Sequence, residues 1–157
     1  MKKEIEYGTK IKNLKELTEI FKQRTETQRI INITRSILKN NGKYFIKVSS
    51  EVIGSKQYNV ISLKEDLLAI GIANKMKTSD ELDIEVSKEQ FQQIIKMLKM
   101  LGFKRVSTFK KIRHEYKIEG LTVTIDEYKE GPYLEIEGSS AAKIKEFIKT
   151  IPIQAIQ

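Results

Sequence analysis

Apolar and polar side chains alternate along several short segments of this chain. In residues 121–126, for example, Val123 and Ile125 alternate with Thr124 and Asp126. Because successive side chains of a β-strand point to opposite faces, such a segment has one apolar face and one polar face. At least five segments show this pattern. An open sheet could pack its apolar face on helices and expose the other face to water, whereas a closed barrel would direct the polar face into its interior.

Helical spacing interrupts the alternation at three places. Asn13 is a candidate N-cap for a helix over residues 13–21, and Ser139-Ser140 precedes a helix that extends to Phe147. Ser87 and Gln90 form a capping-box pattern for a helix over 87–101. Strands are predicted at the N-terminus and near 29–38, 43–50, 57–63, 67–77, 81–86, 105–117, 121–128 and 133–137. Turns are predicted at Asn40-Asn41-Gly42, Gly54, Thr78-Ser79-Asp80, Glu119-Gly120 and Gly131-Pro132.

Runs of strands with helices outside the runs indicate an α+β protein rather than a doubly wound one. The pattern predicts a largely antiparallel sheet, closed or nearly closed, with helices outside the runs of strands. At 157 residues we expect one domain, covering residues 1–157.

The amino-acid composition restricts the chemistry that the protein can perform and the cellular location that we expect for it. The chain has no cysteine, which excludes disulfides and sulfur-ligated zinc, and its start lacks the apolar segment of a signal peptide. No apolar run is long enough to cross a bilayer, so we expect a cytoplasmic protein without a membrane partner. The 29 basic and 21 acidic residues give a net charge of +8, which favours polyanionic partners.

The tripeptide Glu-Ile-Glu occurs near both ends of the chain, at Glu4-Ile5-Glu6 and at Glu135-Ile136-Glu137. On strands, each copy places two carboxylates on one face. Four such carboxylates would repel one another unless cations lie among them. The cation could be a divalent metal or an opposing lysine or arginine.

Residues 99–138 resemble the C-terminal half of the CYTH family, the triphosphate tunnel metalloenzymes. The resemblance rests on Leu101-Gly102-Phe103, Lys111-Ile112-Arg113, Asp126 and the segment from Gly131 to Glu137. The N-terminal family pattern Glu-x-Glu-x-Lys is met at Glu4 and Glu6, but its lysine position holds Gly8.

The middle of the chain departs from the family pattern. Where the family has Arg-x-Arg strands, this sequence offers Arg35 and Lys47. Lys75 and Lys77 resemble a Thr-x-Lys strand, and Lys10 could replace the charge missing at Gly8. Lysines attract phosphate without the planar bidentate geometry of arginine, so the resemblance implies weaker binding or a different substrate.

The resemblance implies a closed or nearly closed eight-stranded antiparallel β-barrel with helices packed outside. Its tunnel would bind a triphosphate together with Mg²⁺ or Mn²⁺. The implied metal ligands are Glu4, Glu6, Glu81, Asp126, Glu135 and Glu137. The implied substrate-binding residues are Lys10, Arg35, Lys47, Lys75, Lys77, Lys111 and Arg113. Among these two sets, Lys111, Arg113, Glu4 and Glu6 are the implied catalytic residues.

The implied activity is metal-dependent hydrolysis of inorganic, nucleoside or thiamine triphosphate. Alternatives are a class IV adenylyl cyclase, which converts ATP to cyclic AMP and pyrophosphate, and a nucleotide- or polyphosphate-binding protein that has lost its chemistry. RNA with a 5′-triphosphate is a further substrate to consider, and the protein is expected to be a monomer or homodimer.

Other single residues favour structural roles. His114 is out of phase with Lys111 and Arg113, which predicts a surface or core position. Tyr116 and Tyr133 are predicted to pack in the barrel or against helices. The choice of Lys111 over Lys110 depends on strand parity, which a β-bulge would reverse.

Overall fold

The computed structural model describes residues 2–66 and 75–156, so most of the strand predicted at 67–77 lies outside the described residues. The strands are β1 (Lys2–Lys10), β2 (Thr27–Lys39), β3 (Tyr44–Ile53), β4 (Lys56–Glu65), β5 (Met76–Val86), β6 (Lys104–Ile118), β7 (Leu121–Tyr128) and β8 (Gly131–Gly138). The helices are α1 (Leu14–Arg24), α2 (Lys88–Met100) and α3 (Ala141–Lys149), followed by a short 3-10 helix (Ile153–Ala155). None of the helices in these described ranges is long and apolar enough to cross a membrane.

The eight strands form a closed antiparallel barrel in the order β1-β5-β4-β3-β2-β6-β7-β8, which confirms the predicted fold class. The first and last strands are neighbours. In their register Glu6 lies opposite Glu137, and Gly8 lies opposite Glu135. The two Glu-Ile-Glu segments therefore belong to one pair of adjacent strands.

Local sequence signals set several of the observed boundaries. The Ser87 side chain accepts a hydrogen bond from the Gln90 amide at 3.2 Å, and Gln90 Oε1 accepts one from the Ser87 amide at 2.9 Å. This is the predicted capping box. Glu119 and Gly120 have φ of 53° and 72°, the left-handed pair that a tight two-residue hairpin between β6 and β7 requires.

Two turn predictions were wrong. Residues 78–80 continue β5 without a turn, and Ser79 is buried within that strand, so ladder pairing overrides the turn preference of its residues. Gly131 and Pro132 belong to β8, where Gly131 pairs with Tyr128 and Pro132 with Glu127. The turn is the two-residue segment 129–130.

The described residues divide into two compact units. The first contains residues 2–3, 32–66 and 79–110. Its apolar core consists of Leu38, Ile46, Val48 and Ile61, against which one side of α2 packs. Alternate residues of β2, β3 and β4 therefore point away from the helix.

The second unit contains residues 4–31, 75–78 and 111–156. Its apolar core joins β6, β7 and β8 to α1 and α3. Phe21 of α1 packs on Tyr116 and on Phe147 of α3, with ring centroids 5.6 and 6.2 Å away. Tyr116 is thus a core residue, as predicted. This core fixes which face of each strand carries the polar side chains.

Candidate functional site

In the second unit, the strand residues that point away from the helices form what we call the polar face. On β8, Leu134 and Ile136 are fully buried in the core, so Glu135 and Glu137 belong to the opposite face. On the other strands of this unit, too, the residues that alternate with core residues belong to the polar face. The polar face contains Glu4, Glu6, Gly8 and Lys10 of β1, Lys111 and Arg113 of β6, Thr122, Thr124 and Asp126 of β7, and Tyr133, Glu135 and Glu137 of β8.

Strand register arranges these residues in rows across the polar face. One row contains Arg113, Asp126, Tyr133 and Lys10. The next contains Thr124, Glu135 and Gly8, and a third contains Thr122, Glu137 and Glu6. Basic residues therefore border rows of carboxylates within a single unit.

Lys111, Arg113 and Asp126 form a buried ion cluster. Lys111 Nζ donates to Asp126 Oδ2 at 2.5 Å, and the Lys111 and Asp126 side chains are 2% and 0% exposed. Arg113 donates through Nε to Asp126 Oδ1 at 2.7 Å and through Nη2 to Oδ2 at 2.6 Å. This two-point contact fixes the plane of the guanidinium group.

The cluster is ionised on both sides. Burial alone would raise the pKa of Asp126, but hydrogen bonds and charges from Arg113 and Lys111 hold it below its ordinary value of 3.8. Burial alone would lower the pKa of Arg113, but the hydrogen bond to Asp126 and the charges of Glu135 and Asp126 raise it. At these short distances, the attraction between opposite charges offsets the loss of hydration.

Arg113 also connects the cluster to the carboxylate rows. Its Nη2 donates to Glu135 Oε2 at 2.9 Å, in addition to the bond with Asp126. The Arg113 side chain is 20% exposed, unlike that of Lys111. A cation predicted to bind phosphate therefore touches a carboxylate predicted to bind metal.

The carboxylates of β1 and β8 have the donor chemistry that Mg²⁺ and Mn²⁺ prefer. Glu6 and Glu137 are direct partners across the strand pair, and Glu135 is two residues away on the same face. Glu4 shares their parity and precedes Ile5, which is opposite Gly138. Within residues 2–66 and 75–156, no three acidic or histidine side chains already converge on one point.

Thr124 is an orphaned polar residue in the middle of this face. Thr124 is 4% exposed, and its hydroxyl has no hydrogen-bond partner among the described residues. Its Cα partners are Glu115 on one side and Glu135 on the other. A buried hydroxyl without a partner costs about 1–3 kcal/mol, so a ligand oxygen or a metal-bound water at this place would satisfy it. The residues present therefore fit a hydrated divalent cation.

The remaining predicted lysines of this unit are Lys10, Lys75 and Lys77. Lys10 is exposed and opposite Tyr133. Lys77 is half-buried in β5, and the backbone carbonyl of Lys75 accepts a hydrogen bond from the Gly8 amide at 2.9 Å.

His114 lies on the helix-facing side of β6, where Nε2 is 2.6 Å from Glu127 Oε1, as expected for a residue out of phase with Arg113.

The first unit has its own charged residues on the face that points away from α2. Lys47 forms an ion pair with Glu81, and Lys64 Nζ is 3.3 Å from the second oxygen of the same carboxylate. Arg35 donates to Ser49 Oγ at 2.7 Å and lies 3.5 Å from Glu51. Each predicted basic residue of this unit therefore has a carboxylate partner.

Sequence reasoning missed several residues of these faces. Lys64 could have been predicted to lie on the polar side of β4. It is two residues from Ser62 in a segment where apolar and polar residues alternate. Thr124 carried no signal beyond its parity, since sequence does not show whether a hydroxyl is satisfied. Tyr133 was assigned to packing, yet it lies on the polar face between Asp126 and Lys10.

The family model described as "CYTH domain" matches residues 55–154, more than half of the chain. The chain belongs to the CYTH family. CYTH proteins are typically triphosphatases or adenylyl cyclases, bind triphosphate substrates and depend on metal ions. No curated protein matches this CYTH chain.

Several solved structures have the same fold. A Pyrococcus horikoshii protein has a TM-score of 0.80 at 20% identity, covering 98% of this chain and 93% of its own. A conserved hypothetical protein from Pyrococcus furiosus has a TM-score of 0.76 at 22% identity, covering 98% and 94%. A candidate adenylyl cyclase from Hippeastrum with a dominant triphosphatase activity has a TM-score of 0.68 at 14% identity, covering 93% and 84%. These similarities show the fold.

Proposed function

We propose that this CYTH protein is a metal-dependent hydrolase of triphosphate compounds, acting at the polar face of the second unit. The observation that carries the proposal is the contact of Arg113 Nη2 with both Asp126 and Glu135, at 2.6 and 2.9 Å. It places a fixed guanidinium group beside a row of carboxylates. A phosphate chain coordinated by a divalent cation needs both kinds of group close together.

Arg113 is assigned to bind and neutralise phosphate oxygens. The bond to Asp126 holds its guanidinium in one orientation, so little reorganisation is needed when negative charge develops on the substrate. Lys111 is assigned a different role from the predicted one. Its buried ammonium group holds Asp126 in place, which makes Lys111 a positioning residue rather than a substrate contact.

Four carboxylates would hold the metal: Glu4, Glu6, Glu135 and Glu137. We leave Asp126 and Glu81 out of this set, because each is already neutralised by two basic side chains. A bound Mg²⁺ or Mn²⁺ would neutralise charge on the phosphate oxygens and supply a more acidic water. Thr124, opposite Glu135, would donate or accept a hydrogen bond at the bound water or phosphate.

Product analysis tests the reaction class. Purified protein is incubated with Mg²⁺ or Mn²⁺ and with inorganic triphosphate, ATP, thiamine triphosphate or triphosphorylated RNA. Release of phosphate or pyrophosphate by hydrolysis is expected from at least one substrate. Cyclic AMP as the product from ATP would overturn the hydrolase in favour of the cyclase. Thermal stabilisation by triphosphate without turnover under either metal would identify a binding protein instead.

Substitution of Arg113 tests the site. Arg113→Gln should lower kcat/KM by about 100-fold, because it removes a charged donor aimed at the phosphate chain. Arg105→Gln is the matched control, since Arg105 is an exposed residue of the same strand. Equal activity in the two variants would show that the phosphate site lies elsewhere.

Removal of the β8 carboxylates tests the metal assignment. The double variant Glu135→Gln/Glu137→Gln should lose Mn²⁺ binding, measured by calorimetric titration, together with activity. Glu130→Gln, in the exposed turn before β8, should bind Mn²⁺ like the unsubstituted protein. Full Mn²⁺ binding by the double variant would contradict the assignment.

A further inference from the structure

Gly8 lies in the middle of β1, where glycine normally weakens a strand. Its φ is not in the left-handed region, unlike that of Gly54, Gly102, Gly120 and Gly131. Backbone conformation therefore does not require a glycine at this position. The reason must be space on the face that its side chain would occupy.

The ring of Tyr133 fills that space. A Cβ atom at Gly8 would lie 2.8 Å from the Tyr133 hydroxyl, 2.9 Å from Cε1 and 3.2 Å from Cζ. These atoms belong to one rigid ring, so a small side-chain shift cannot relieve the contact. Tyr133 is opposite Lys10 in the register, and its ring extends diagonally along β1 to Gly8. Diagonal neighbours of an antiparallel pair are within reach of aromatic side chains.

The hydroxyl end of this ring lies at Gly8, in the row that contains Glu135. Gly8, which it touches, is the direct partner of Glu135, and Glu6 is two residues away on the same face. The Tyr133 hydroxyl is a hydrogen-bond donor without a positive charge, so it would not repel a metal ion.

We propose that Tyr133 is a positioning residue that orients Glu6 and Glu135 toward a divalent cation, and that Gly8 provides the space its ring needs. The inference rests on the proposed metal site and goes beyond it by assigning Tyr133 and Gly8. Orphaned Thr124, opposite Glu135, independently indicates that a ligand belongs at this place. Hydrogen bonds from neighbouring groups commonly fix the orientation of metal-binding carboxylates.

Mn²⁺ affinity, measured by calorimetric titration without substrate, tests this role. Tyr133→Phe keeps the ring and removes the hydroxyl, and it should weaken Mn²⁺ binding by about 10-fold, as is typical when such an outer partner is lost. Tyr44→Phe in the first unit is the matched control and should bind Mn²⁺ like the unsubstituted protein. Gly8→Ala should displace the ring and produce a loss similar to that of Tyr133→Phe. In the Tyr133→Ala background, Gly8→Ala should cause no further loss.

The outcomes separate this inference from the proposed function. Unchanged Mn²⁺ affinity in Tyr133→Phe would overturn the role of Tyr133, even if activity fell. Absence of Mn²⁺ binding in the unsubstituted protein would overturn the metal site itself. If Gly8→Ala does not fold, Tyr133→Phe alone decides the question, because it adds no atoms to the face.

Discussion

Asp126 is the carboxylate that pairs with both Lys111 and Arg113 in the second unit. It is fully buried and accepts hydrogen bonds from both Lys111 and Arg113. Removal of one partner from a buried ion pair leaves the other charge unsatisfied. Asp126 should therefore matter for folding as well as for the orientation of Arg113.

Asp126→Asn should lower the free energy of unfolding by about 3 kcal/mol or more, since Lys111 would remain buried without a counter-charge. Urea denaturation at pH 7 measures this loss. Glu127→Gln is the control at the next position, where the side chain is partly exposed and contacts His114. Similar stability of the two variants would show that the cluster does not contribute as proposed.

The same residue predicts a dependence of stability on pH. The pKa of Asp126 in the folded protein is below its ordinary value of 3.8. Its contribution to stability is therefore complete above about pH 4 and is lost as pH falls through the lower folded value. Between pH 5 and pH 3, the unfolding free energy of the unsubstituted protein should fall more steeply than that of Asp126→Asn. Parallel curves would contradict the assignment.

Strand parity placed Lys111 with Arg113 on one face of their strand, and Glu135 with Glu137 on one face of theirs. The resemblance to the CYTH family predicted that these strands share a site, and the structure has all four residues on one face. Parity could not show that Lys111 forms an ion pair with Asp126, because such pairing depends on the length and conformation of the side chains. It also gave no reason to connect Gly8 with Tyr133, residues separated by most of the chain.

At the level of elements, α2 is the segment that the sequence described best. Its start is fixed by the reciprocal hydrogen bonds of Ser87 and Gln90, and none of its residues is fully buried. A helix with so little buried surface depends more than usual on its cap. Its boundary was therefore readable from local sequence.

Ser87→Ala should lower the unfolding free energy by about 1 kcal/mol, the usual effect of losing an N-cap side chain. The melting temperature by circular dichroism measures the change. Ser107→Ala, at an exposed position of β6, is the matched control and should melt close to the unsubstituted protein. If both variants melt alike, the cap contributes less than the geometry indicates.

The turns show where local sequence fails. Thr78, Ser79 and Asp80 are common turn residues, yet they continue β5, where Ser79 is buried. Gly131-Pro132 likewise resembles a turn but starts β8. In both cases pairing with a neighbouring strand outweighs local preference. Such pairing connects residues distant in sequence, so a local pattern does not report it.

At the level of the whole molecule, closure of the barrel brings together the two ends of the sequence. Glu6 and Glu137, more than a hundred residues apart, are direct partners in β1 and β8. The alternation of side chains was equally compatible with an open sheet. The eight-stranded barrel was predicted from the resemblance to the CYTH family, because a period of two residues does not specify which strands pair.

This topology predicts slow folding. Contacts between distant parts of a chain require costly loop closure, so refolding should occur in milliseconds to seconds rather than microseconds. Stopped-flow dilution from urea measures the rate. A small α-helical protein in the same buffer provides the fast control. Complete refolding within the dead time of the instrument would contradict the expectation.

The direct pairing of Glu6 with Glu137 has a consequence for how this sequence could be altered. Like charges opposite each other on adjacent strands weaken the pair. A neutral side chain at either position would ease that repulsion while removing a proposed metal ligand. Variants selected for heat resistance without metal should therefore replace the carboxylates at these two positions with neutral side chains. Variants selected in the presence of Mn²⁺ should keep them.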